Sequence, residues 1–146
     1  MNNLNKADQA IESFHSGFNC AQSVFITYCD EFGLDRDLAL KLSCSLGGGM
    51  GRLGETCGAV TGAYLLIGLK YGKILEADDA AKEKTYATVR EFAQRFQQRN
   101  GSTQCRDLLG VDLLTGDPEL IKQQHDTVCP KAIRDAVEIV EALLFS

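Results

Sequence analysis

The chain contains no tryptophan, only two prolines and only two histidines, and it carries no excess of positive charge. Each shortage excludes something. With a net charge of -5 and no cluster of Lys and Arg interleaved with aromatics, it lacks the phosphate-neutralising surface of a nucleic-acid binder. The longest apolar stretch, Ala59 to Leu69, is too short and too broken by glycine to span a bilayer. The N-terminal residues, MNNLNKADQAIESF, lack the basic start and apolar middle of a secretory signal, so a cytoplasmic protein is expected, with Asn100-Gly101-Ser102 a chance sequon. No Cys-x-x-Cys occurs, which removes the local signature of a thioredoxin-type pair, a haem c site or a zinc knuckle.

The sequence is rich in glycine, with fourteen, and in cysteine, with six. At 146 residues, 45% hydrophobic and 24% charged, it reads as one ordered globular domain over 1–146 that folds without disulfides. In a reducing compartment, six cysteines point to catalysis, metal binding or redox sensing sooner than to a static disulfide framework.

Helical spacing dominates. Ala7, Ala10, Ile11 and Phe14 mark a helix over Asn5 to Ser16. A second starts after Asn19, with Ala21, Val24, Phe25, Tyr28 and Phe32 as its stripe and Gly33 as its terminator. Asp35 is placed to cap a helix to Leu46, with Leu38, Leu42 and Leu46 on one face, although Leu40 to Leu46 also alternates as a strand would. Glu55 to Leu69 reads as a buried helix whose Gly58, Gly62 and Gly68 admit close neighbours. Asp78 to Arg99 is the longest and carries Ala81, Thr85, Val89, Phe92 and Phe96 along one side. Ser102 is placed to cap a turn through Leu109. Asp117-Pro118 starts a short helix to Gln124, and Pro130 a last one to Phe145. The expected class is all-α: a multi-helix bundle with a glycine-rich loop before a central buried helix.

That loop raises a choice. Gly49-Met50-Gly51-Arg52-Leu53-Gly54 fits the dinucleotide pattern G-x-G-x-x-G letter for letter. The pattern works only inside a βαβ unit, and Gly72-Lys73-Ile74-Leu75 is too short for the second strand; a P-loop fails because Glu55 stands where its lysine belongs. The alternative ligand is sulfur.

Cys20, Cys57, Cys105 and Cys129 all fall at expected helix starts, where unpaired N–H groups and the helix dipole lower a thiol pKa below its free value of about 8.5. Arg52, Arg106 and Lys131 are placed to add positive potential. Cys29 and Cys44 lie late in their helices and are expected in the core. His15 and His125 are expected in solvent, and Glu55 at a helix start as a cap. Gly49, Gly51, Gly54 and Gly58 are the candidate backbone contacts to a bound anion: the Cys57 thiolate, a cluster it holds, or a phosphate.

The ordered set Gly17-Phe18-Asn19-Cys20-Ala21-Gln22, Gly47-Gly48-Gly49-Met50-Gly51-Arg52, Gly54-Glu55-Thr56-Cys57-Gly58-Ala59-Val60-Thr61-Gly62-Ala63, then Cys105 and Cys129, resembles the C_GCAxxG_C_C family. One departure is that Thr56 stands where the family's name has glycine before its second cysteine. The resemblance implies redox activity carried by Cys20, Cys57, Cys105 and Cys129, with no settled substrate. Three functions stay open. The first is thiol-disulfide exchange or electron transfer through converging cysteines, with Cys57 as the attacking thiolate, making the protein a thiol-based oxidoreductase. The second is an iron-sulfur cluster or other soft metal on the same four thiolates. The third is a helical, homo-oligomeric interaction module, such as a homodimer, in which they only pack. The partners expected are a redox protein or a small thiol or disulfide, with no nucleic acid and no membrane.

Overall fold

The structure, a computed structural model, describes residues 4–146. Seven α-helices form it: α1 (Lys6–Ser16), α2 (Cys20–Ile26), α3 (Arg36–Cys44), α4 (Gly58–Tyr71), α5 (Asp79–Asn100), α6 (Cys105–Leu109) and α7 (Pro118–Leu144). No β-strand occurs among the described residues; one isolated antiparallel bridge joins Thr56 to Gln104. The all-α expectation holds.

Local chemistry explains the ends. The Asn5, Asp35 and Asp78 side chains each accept a hydrogen bond from the third backbone N–H beyond them, opening α1, α3 and α5. Asn19 does the same for α2 in a full capping box, with the Gln22 side chain reaching back to the Asn19 N–H. Gly101, in the left-handed region, ends α5 as its position predicts.

Helix α4 is the hub. It is apolar almost all round, and its Ala59, Val60, Ala63, Leu66 and Ile67 are buried in one continuous core with Phe25 of α2, Phe92 and Phe96 of α5, and Ile133, Val137 and Val140 of α7. Burying each large aliphatic side chain stabilises the fold by roughly 1.5–3 kcal/mol. Its closest neighbour is α2, and two glycines allow the approach. A Cβ on Gly62 would stand 2.8 Å from the Ala21 carbonyl oxygen, and one on Gly58 2.5 Å from the Cys20 sulfur. Gly68 meets nothing within 4 Å and is not a packing glycine.

Four expectations give way. Pro130 does not start a helix; it lies inside α7, which runs unbroken from Pro118. A proline at a first turn and one tolerated within a helix look alike in sequence, although the second forfeits one backbone hydrogen bond. The predicted apolar face of α3 is turned outward: Leu38 and Leu42 are exposed, and Ala39 and Ser43, four apart on the neighbouring face, are buried. The second helix stops at Ile26, and a separate 3-10 turn, Cys29–Phe32, carries the stripe on to Gly33. Finally, Glu55 to Cys57 is extended. The Cys57 N–H donates to Thr103 O at 2.8 Å, and Glu55 O accepts from the Cys105 N–H at 2.7 Å.

The glycine loop holds the least expected geometry. Gly48, Gly49, Met50, Gly51 and Arg52 follow one another with φ between +61 and +68°, a turn of left-handed helix. Glycine enters this region freely, whereas an L side chain there costs about 1–2 kcal/mol, so Met50 and Arg52 store strain. The turn closes with Gly54 N–H to Gly48 O and Glu55 N–H to Gly49 O.

A cavity lined by five cysteines

Four separate elements bring sulfur to one place. Cys20 is the first residue of α2, Cys57 the cap of α4, Cys105 the first residue of α6, and Cys129 sits in the middle of α7. All four line a single cavity of about 710 Å³. Cys57 and Cys105 flank the Thr56–Gln104 bridge, each on the strand-like segment opposite the other, with their backbones fixed by its two hydrogen bonds. The Cys20 sulfur packs against Gly58, the residue after Cys57, in the space a side chain there would fill.

Loop glycines serve sulfur in this packing. A Cβ on Gly49 would stand 2.7 Å from the Cβ of Cys105, so Gly49 and Gly58 each make room for one cysteine. Gly51 faces open space and Gly54 lies against Arg106. The backbone N–H groups of Gly48, Ala21, Cys20 and Gly58 lie near enough to the Cys20 sulfur to favour its thiolate.

The electrostatics correct one expectation outright. Burial pushes the Cys20 thiol up, and the four N–H groups offset only part of that. Burial, then the neighbouring charge of an ionised Cys20, holds the Cys57 thiol well above its ordinary range, against the smaller pull of the Ala59 and Val60 N–H groups. Cys105 is raised to about 11 by the same two causes. Cys129 is raised by burial first, then by Cys20, Cys105 and Asp126. Removing a thiolate from water outweighs the helix-start donors, so all four thiols are neutral at pH 7. Cys129 also lacks a helix start, because α7 passes through it. One pattern recurs: an ionised Cys20 raises each of the other three.

The neighbours differ from expectation too. Glu55 caps no helix; its carboxylate pairs with Arg106 at 2.9 Å, and Arg106 also donates to Gly54 O, which tethers α6 to the loop. Lys131 is taken up by Asp135 and Asn100. His15 is exposed. His125 is half exposed, as expected, yet it reaches the cavity, its ring 4.6 Å from that of Phe14 and its Nδ1 3.1 Å from Asp126. Cys29 is core, as its position predicts, but Cys44 is exposed and reaches the cavity rim. Its carbonyl accepts from the Asn19 side chain at 2.9 Å, tying the end of α3 to the start of α2 beside Cys20. The late-helix position that suggested burial says nothing about which way the helix is rolled.

As the side chains stand, no three His, Cys, Asp or Glu among the described residues are arranged to hold a metal ion. The six cysteines are all free thiols. No helix among the described residues is long and apolar enough to cross a membrane.

The protein is an all-α domain in which four elements bring thiols, two of them buried and two partly buried, to one cavity. The chain is a member of the C_GCAxxG_C_C family, described as "Putative redox-active protein", which it matches over residues 18–143. No curated protein and no solved structure matches it.

Proposed function

We propose that the protein is a thiol-disulfide redox protein in which Cys20 is the exchanging sulfur and Cys57 the thiol that resolves it. The observation that carries this reading is the position of Cys20. Its sulfur rests against Gly58, the residue next to Cys57, in the cavity that Cys57, Cys105 and Cys129 also line. It is partly exposed whereas Cys57 and Cys105 are buried, so it is more open than they are to a disulfide entering the cavity.

The chemistry balances with a disulfide as oxidant. Cys20 gives up its proton and attacks one sulfur of R–S–S–R, forming a mixed disulfide and releasing RS⁻, which takes that proton. Cys57 then loses its proton and attacks the Cys20 sulfur, forming a Cys20–Cys57 disulfide and releasing the second RSH. Two protein S–H bonds are lost, one S–S bond forms and one substrate disulfide is reduced. Cys105 and Cys129 stand ready to accept the disulfide in a second exchange.

The test is a redox titration of protein purified without oxygen, with thiols counted at each potential. We expect two thiols to disappear reversibly, with no colour and no bound iron. Stoichiometric iron with a visible sulfur-to-iron band would replace this reading with a cluster, and six thiols that stay reduced at every potential would leave the cysteines a packing role.

A further inference from the structure

The cavity's charge is lopsided. The sequence holds 20 acidic residues against 15 basic ones, yet among the described residues no Asp or Glu lines this cavity, while Arg52, Lys122 and His125 do. Lys122 and His125 are both shared with Asp126, at 3.2 and 3.1 Å, just outside the lining. Arg52 enters none of the ion pairs formed among the described residues, and it stands at the cavity wall, between this cavity and a smaller one beside Asp107 and Asp112, on a left-handed backbone where glycine would sit without strain. The remaining wall is largely aliphatic, including Leu108, Leu113 and Ile121. The volume of about 710 Å³ is that of a pocket for one small organic molecule.

We infer that this cavity is the binding site for a low-molecular-weight disulfide with an apolar body and a carboxylate, the carboxylate anchored by Arg52. The inference rests on the thiol-exchange reading above and adds to it the class of substrate. The aliphatic wall takes the body, and bidentate pairing with the guanidinium takes the acid. Exchange then follows the balanced steps already given, the substrate itself being the oxidant.

The test uses Cys44→Ser protein throughout, so that the exposed thiol does not report. Rates of reaction with the dianionic bis(nitrobenzoate) disulfide and with the neutral dipyridyl disulfide are each divided by the rate for the urea-unfolded chain. We expect the folded protein to favour the anionic reagent by about tenfold, a charge-pair effect. Arg52→Gln should abolish that preference, and Lys41→Gln, an exposed cation outside the cavity, should alter neither rate. Equal normalised rates for the two reagents would overturn the substrate class and leave the redox reading standing. If the folded protein reacts with neither, the redox reading fails, and binding of the dicarboxylate's thioether analogue, which cannot exchange, decides the site. Binding weakened about tenfold by Arg52→Gln supports it, whereas binding that is absent, or equal in both proteins, overturns it.

Discussion

Two regions bury polar groups and treat them in opposite ways. Around Asp135, on the inner face of α7, the carboxylate is 8% exposed and is saturated: Arg99, Lys131 and Asn100 all donate to it, at 3.2, 2.7 and 3.1 Å. Around the cavity, four thiols are desolvated with no cation paired to any of them, and open space is left beside them. The first arrangement spends its donors on joining α5 to α7. The second leaves its thiols without a charged partner, beside open space.

The largest expected effect is on the alkaline side and separates the two regions. A thiol whose folded pKa is raised, as for Cys105 at about 11, keeps its proton in the folded state while the unfolded chain releases it near pH 8.5. Its stabilising contribution is therefore complete below that pH and lost as pH rises toward the folded value. Each such thiol costs up to about 1.4 kcal/mol per pH unit in that window, and four act together. Urea midpoints at pH 7.5 and 9.5 should fall steeply, and Cys105→Ser should flatten the slope by one thiol's share. An unchanged midpoint would contradict the buried thiols.

Next comes Asp135→Ala, which leaves Arg99, Lys131 and Asn100 without their shared acceptor. Half-exposed cations re-solvate, so the loss is about 2–3 kcal/mol, read as a lower urea midpoint with thiol reactivity unchanged. Gly58→Ala is expected to cost about 1–3 kcal/mol, because its methyl group would meet the Cys20 sulfur. Unlike Asp135→Ala, it should also change the alkylation rate of Cys20, and a stability loss without that change would break the comparison. The smallest effect is a gain. Arg52→Gly relieves a left-handed side chain and should raise stability by about 1 kcal/mol, in thermal or urea unfolding.

Much of the frame was legible because caps and stripes are local. Asn5, Asn19, Asp35 and Asp78 announce helix starts through side-chain chemistry that needs no tertiary context, and the spacing of Val89, Phe92 and Phe96, three residues and then four, marks a single face. What failed was nonlocal. Periodicity shows that Leu38 and Leu42 share a face of α3 but not that the core lies on the other side. Pro130 carries no sign of whether a helix starts or continues. The convergence of Cys20, Cys57, Cys105 and Cys129 was expected from their types and from the family resemblance, and the structure gathers them around one cavity. Their pKa direction is not legible in the sequence, because burial is a tertiary property that outweighs the helix-start dipole. Arg52 did leave a signal: a lone bulky cation in a run of glycines that the fold bends left-handed.

The most direct test of the account is which sulfurs pair. Cys44→Ser protein, oxidised with one equivalent of the bis(nitrobenzoate) disulfide and digested at acid pH, is mapped by mass spectrometry. The account predicts a Cys20–Cys57 disulfide, preceded at short times by Cys20 alone carrying the reagent. Oxidised protein in which Cys20 remains a free thiol would contradict it.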